Sequence, residues 1–129
     1  MDILSDASKA WRALAVSPEA SDEITILSPF ITGPVLKELV QQSTASKFTI
    51  ITSLTAKSLH SGSIDLDVLE ELLELGADLR TYKPLHAKLM LRGNTMVMGS
   101  QNFTSGGMHN LEISIRTELG EQEHRRLNE

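Results

Sequence analysis

Strand-like and helix-like periodicities alternate from residue 23 to residue 82, and this alternation constrains the fold more than any single residue does. Residues 23–31 (EITILSPFI) are rich in β-branched side chains and predict a strand interrupted at Pro29. Gly33 and Pro34 then open a helix to about Gln42, with Pro34 suited to its first turn. Residues 47–52 (KFTIIT) predict a second strand, and residues 53–63, small and polar, a loop. Residues 64–75 (IDLDVLEELLEL) form a strongly amphipathic helix that Gly76 closes, and residues 77–82 a third strand. Alternation of this kind implies parallel strands joined by crossover helices.

Residues 2–16 read as a preceding helix, with Ile3, Leu4, Ala7, Ala10, Trp11 and Leu14 on one face and Ser17-Pro18 ending it. After residue 82 the pattern changes. Residues 85–92, 95–100 and 110–116 predict three strands with short connections, and residues 124–127 a final short helix. The expected fold class is therefore α/β, with a mixed, largely parallel β-sheet flanked by helices on both faces. Neither a repeat nor a linker divides the 129 residues, so one domain is expected over 1–129.

Composition narrows the chemistry. There is no cysteine, which excludes a disulfide scaffold, a thiolate nucleophile and a Cys-ligated metal. No apolar run approaches the ~20 residues that span a bilayer, and no secretory signal is evident, so a cytoplasmic location is expected. The net charge is −5, which on its face opposes an anionic partner. It is unevenly spread. Residues 1–78 carry a net of −7, whereas residues 79–116 carry five bases (Arg80, Lys83, Lys88, Arg92, Arg116) against one acid, Glu112. Solvated helix acids and scattered strand bases would explain the asymmetry, and so would a local anion site.

Residues 85–92 alternate: Leu85, Ala87, Leu89 and Leu91 are apolar, and His86, Lys88, Met90 and Arg92 point the other way. His86 and Lys88 thus aim an imidazole and an ammonium at one spot the size of a phosphate. A three-residue turn at Gly93-Asn94 would pair Leu91 with Thr95 and set His86 opposite Ser100 and Lys88 opposite Met98. Ser100 and Asn102 would then share the face of His86 and Lys88, whereas a two-residue turn would put them on the far side. Gly99 is suited to close backbone approach to a ligand. In residues 110–116, Leu111, Ile113 and Ile115 alternate with Asn110, Glu112, Ser114 and Arg116, and Glu112 could orient an imidazole or pair with a base.

Taken in order, His86-x-Lys88, Gly99-Ser100-x-Asn102, Gly106-Gly107 and Asn110-x-Glu112 resemble the HKD signature of the phospholipase D superfamily. The strand end Ser28-Pro29-Phe30 and the helix start at Gly33 resemble that family's domain as well, so the likeness covers most of the chain. One position departs from it: Gly93 stands where the family pattern often has Asp, which leans towards single-motif, nuclease-like members. The resemblance implies a phospholipase D-like half-barrel or sandwich. It also implies phosphodiester chemistry in two steps, with neither metal nor cofactor. His86 would be the nucleophile, and Lys88 and Asn102 would hold the non-bridging oxygens. Ser100 would hydrogen-bond within the site as a further phosphate-binding residue, and Glu112 would hold the imidazole.

A second imidazole must serve the leaving oxygen and water. The family takes it from a second motif copy. This chain has one copy, so a homodimer sharing one active site is expected. His109 could supply that group within one chain, with Asn110 and Gly99 as further accessory positions, although its Gly-rich surroundings weigh against it. His60 is expected to be solvated. The function expected is a nuclease acting on a phosphodiester substrate, with no stable membrane association. The alternatives are a phospholipase or phosphatidyltransferase, and a weakly catalytic dimerisation or binding domain of a larger restriction- or helicase-type protein.

Overall fold

The computed structural model describes residues 2–17, 21–82, 85, 87–100, 102–104 and 113–127. Their elements run β1 (Asp2–Leu4), α1 (Ser8–Ala15), β2 (Glu23–Leu27), α2 (Val35–Gln42), β3 (Lys47–Thr52) and α3 (Ala56–His60). They continue with α4 (Leu66–Glu74), β4 (Asp78–Thr81), β5 (Leu89–Arg92), β6 (Thr95–Gly99), β7 (Ser114–Glu118) and α5 (Glu121–Leu127). The described strands form one sheet in the order β1-β7-β6-β5-β2-β3-β4. This is a single α/β domain with a mixed sheet.

The crossover helices make β2, β3 and β4 parallel, as expected. The other pairings are antiparallel, so the sheet is mostly antiparallel rather than largely parallel. The reason is connection length. The segment between Thr81 and Leu89 is too short for a crossover helix, which takes a dozen or more residues, and β5 returns antiparallel beside β2. β5 and β6 are joined by Gly93 and Asn94 alone, because Arg92 pairs with Thr95. Gly93 has φ +60°, at the turn position that a type II′ hairpin reserves for glycine.

The three longest helices, α1, α2 and α4, pack together on one face instead of being divided between two. Trp11, Leu14, Leu36, Leu39, Leu69 and Leu72 join Ile24, Ile26, Ile50, Met90 and Val97 in the main core. On the opposite face Leu89, Leu91 and Met96 form a smaller cluster with Leu27, Ala87 and Leu119. Fully burying one such side chain stabilises by roughly 1.5–3 kcal/mol, so the helix-covered face dominates.

The ends of the chain differ from expectation. Residues 2–4 are a strand, paired with β7 through Asp2–Arg116, Ile3–Ile115 and Leu4–Ser114, rather than the first turn of a helix. The helix starts later because Asp6 holds its N-terminus: the carboxylate accepts from the Ser8 N–H and the Ser8 hydroxyl, both at 2.9 Å. Residues 110–112 of the expected strand lie outside the described residues, and the last described strand, Ser114–Glu118, ends two residues beyond the expected 116. Within it Ser114 is buried and Ile113, just before it, is exposed, the reverse of the apolar-in alternation. α5 begins at Glu121, three residues earlier than expected.

Candidate functional site

Lys88 immediately precedes Leu89, whose partner is Leu27, the last residue of β2. It therefore sits where the carboxyl ends of the parallel strands β2 and β3 open, the edge at which open α/β sheets usually take ligands. Its carbonyl accepts from the Gly99 N–H at 3.1 Å. Its half-buried side chain lines a cleft of about 480 Å³ together with Phe30, Ser53, Thr55, Lys57 and Ser63. That volume lies within the range of small-ligand pockets, roughly 300–1,000 Å³.

The walls are held by buried hydroxyls. Ser28 is fully buried; it donates to the Phe30 carbonyl at 2.7 Å, accepts from the Phe103 N–H at 3.3 Å and lies 3.5 Å from Asn102 Oδ1. Thr52 donates to the Pro29 carbonyl at 3.3 Å. The strand end 28–30 is thus fixed at both of its free carbonyls, which orients Phe30 and Asn102. Phe103 stacks on Trp11 at 4.0 Å between ring centroids, both rings buried, a contact worth about 0.5–1.5 kcal/mol beyond burial. Asn102 is therefore positioned by an anchored neighbour.

The hairpin settles the face question against the three-residue turn. Met98 lies opposite Leu89, so Lys88 faces Gly99 and not Met98. By alternation Ser100 belongs to the other face of the ladder. Its hydroxyl accepts from the Ile113 N–H at 3.0 Å and donates to the Ile113 carbonyl at 3.2 Å, so it pins the entry to β7. Asn102 reaches Ser28 because the chain leaves the ladder after Gly99. At Gly99 the close neighbour is backbone of β7 and the residue before it. A Cβ there would lie 2.4 Å from the Ile113 carbonyl oxygen and 2.5 Å from Ser114 Cα.

The positive segment also resolves differently from its charge count. Arg92 is buried, donating to the carbonyls of Ser21 at 2.6 Å and of Leu14 and Ala15 at 2.8 Å, and to the Thr44 hydroxyl at 2.9 Å. Arg80 is paired with Asp78 at 2.9 Å. Neither guanidinium lines the cleft. The second cation of the cleft, Lys57, comes from the net-acidic half of the sequence. It stands on α3, a helix that falls within the expected loop 53–63. Thr55 and Ser58 cap its start reciprocally: the Thr55 hydroxyl accepts from the Ser58 N–H at 3.0 Å and the Ser58 hydroxyl from the Thr55 N–H at 2.9 Å. The pair Thr55-x-x-Ser58 was the signal available in the sequence.

His86, His109, Asn110 and Glu112 lie outside the described residues, as does Lys83. His60 is exposed at the end of α3. Among the described residues no group of three or more His, Asp or Glu side chains is placed to hold a metal ion, and no helix is long and apolar enough to cross a membrane.

Comparisons with known proteins agree with this architecture. Residues 18–127 match the family described as "Cardiolipin synthase, PLD-like domain". The chain belongs to this phospholipase D-like family. Among solved structures it is similar to Nuc from Salmonella typhimurium, a phospholipase D family member, at a TM-score of 0.74 and 18% identity, covering 98% of this chain and 90% of that one. NucT from Helicobacter pylori aligns at a TM-score of 0.72 and 14% identity, covering 98% and 89%. The archaeal chromatin protein TrmBL2, whose structure shows a mode of DNA binding, aligns at 0.57 and 13% identity, covering 98% of this chain and 49% of that one. These likenesses concern the fold. A search of curated protein sequences returns no significant match.

Proposed function

We propose that residues 1–129 form a metal-independent phosphodiesterase domain, built around one HKD motif at 86–112, that acts on nucleic acid. The observation that carries this reading is the placement of Lys88 in the cleft, with Asn102 held by Ser28, the residue before the cleft-lining Pro29 and Phe30, in a chain of this family. His86, two residues before Lys88, attacks phosphorus. The new N–P bond forms as the P–O bond to the leaving group breaks, and the leaving oxygen takes a proton from a second imidazole. Water then attacks the phosphohistidine, surrenders its proton to that imidazole and frees His86. Lys88 and Asn102 hold the non-bridging oxygens while charge develops on them. Ser100, engaged with the Ile113 backbone, keeps β7 in place beside the site. Glu112 orients His86. His86 of a second copy supplies the other imidazole, so the active species is a homodimer, with His109 as the within-chain alternative. Asn110 is an accessory position.

Single-stranded DNA, duplex DNA, RNA and a phospholipid, each assayed in excess chelator, test the substrate class. Cleavage of a nucleic acid and not of the lipid is expected. Exclusive turnover of the phospholipid would favour a phosphatidyltransferase, the reading suggested by the family's description.

A further inference from the structure

The cleft that Lys88 lines also carries an aromatic ring and a cation from outside the motif, which the proposed phosphodiester chemistry does not use. Phe30 is 41% exposed although its backbone is locked by Ser28 and Thr52. A large apolar ring held open at the mouth of the cleft loses the stabilisation that burial would give it. Lys57 is exposed and lines the same cleft, as do Ser53, Thr55 and Ser63. A second depression adjoins it, sharing Lys57 and Ser61 and reaching His60. The surface thus runs from Lys88 past Phe30 and Lys57 to His60.

We infer that this surface is a subsite for single-stranded nucleic acid, in which Phe30 stacks an unpaired base and Lys57 takes a neighbouring phosphate. The inference rests on the nuclease reading of the Lys88 site and names its substrate class. Stacking on an aromatic face needs a base that has left its partner, since in a duplex the faces are covered by neighbouring bases. Stacking also reconciles the net charge of −5 with an anionic substrate, because the attraction does not depend on many phosphate contacts. A bilayer surface fits less well, because the acidic chain is repelled by anionic headgroups.

The test is fluorescence anisotropy with a labelled oligothymidylate of about 12 nucleotides, a duplex of the same length and anionic phospholipid vesicles, across a salt series. The oligothymidylate should bind at least about tenfold tighter than the duplex, and Phe30→Ala should weaken it about tenfold while Phe30→Trp preserves it. With two lysines engaged, log K against log salt should slope at about −1.4, and Lys57→Gln should make the slope shallower by about 0.7. Equal binding of duplex and single strand, no effect of Phe30→Ala, or Phe30-dependent binding of vesicles in place of the oligonucleotide would overturn the inference. Turnover of methyl p-nitrophenyl phosphate, a diester without a base, separates the two readings. Turnover without Phe30-dependent oligonucleotide binding removes only the subsite; such binding without turnover removes only the catalytic assignment.

Discussion

Arg92 shows why a charge count along a sequence is a poor map of a surface. It stands in the most basic segment, immediately before the turn, yet the residue is only 3% exposed and its guanidinium closes the C-terminal end of α1. Terminal helix carbonyls have no partner within the helix, and a cation beside them also offsets the helix dipole. Because the same group bonds Ser21 and Thr44, it ties α1 to both loops that flank β2 and β3. Arg92→Met should lower the unfolding free energy by about 3 kcal/mol or more in urea titration, since it leaves several buried carbonyls without donors.

Nearby Asp22 accepts from the Ser46 hydroxyl and from the Ser46 N–H at 3.0 Å. These bonds, with the Arg92 and Lys47 charges, hold its carboxyl below its ordinary value of 3.8. The stability it contributes is therefore present above the unfolded value and lost as pH falls through the folded one. Urea midpoints for Asp22→Asn should lie below wild type near pH 6 and converge with it in strong acid.

Among the elements, those with their own periodicity were readable. β2, β3, α2, α4 and β4 fall close to where alternation and capping place them, because each buries a face that its local pattern defines. What could not be read depended on partners distant in sequence. Residues 2–4 are a strand only because β7 offers them a free edge. The sheet is less parallel than the alternation implies because β5 and β6 reverse direction through short connections, and β7 then pairs antiparallel with β6. The site was readable as a motif but not as a geometry. The two-residue turn at Gly93 set Lys88 opposite Gly99, and Phe30 and Lys57 entered the cleft from elements outside the motif. At Gly99 the close approach that the sequence suggests is made by the chain at Ile113 and Ser114. Gly99→Ala should destabilise by about 2–3 kcal/mol, because the clash is with backbone that a rotamer change cannot relieve. Amide exchange in β6 and β7 should accelerate in that variant while β2 and β3 stay protected.

At the level of the molecule, fold and composition together favour a protein that grips substrate at one place. The cleft sits at one edge of the sheet, and its cations are few. If catalysis proceeds as proposed, with one HKD motif per chain, it depends on association: sedimentation equilibrium should give a dimer under conditions of full activity, and dilution that yields monomer should abolish turnover. An active monomer would instead bring His109 forward. The reading of His86 as nucleophile is reached most directly by turnover of a single-stranded oligonucleotide in excess chelator, comparing wild type with folded His86→Ala. Wild type should cleave, and His86→Ala should lose at least about a thousandfold in kcat, as expected when a covalent nucleophile is removed. Undiminished cleavage by His86→Ala would contradict the mechanism.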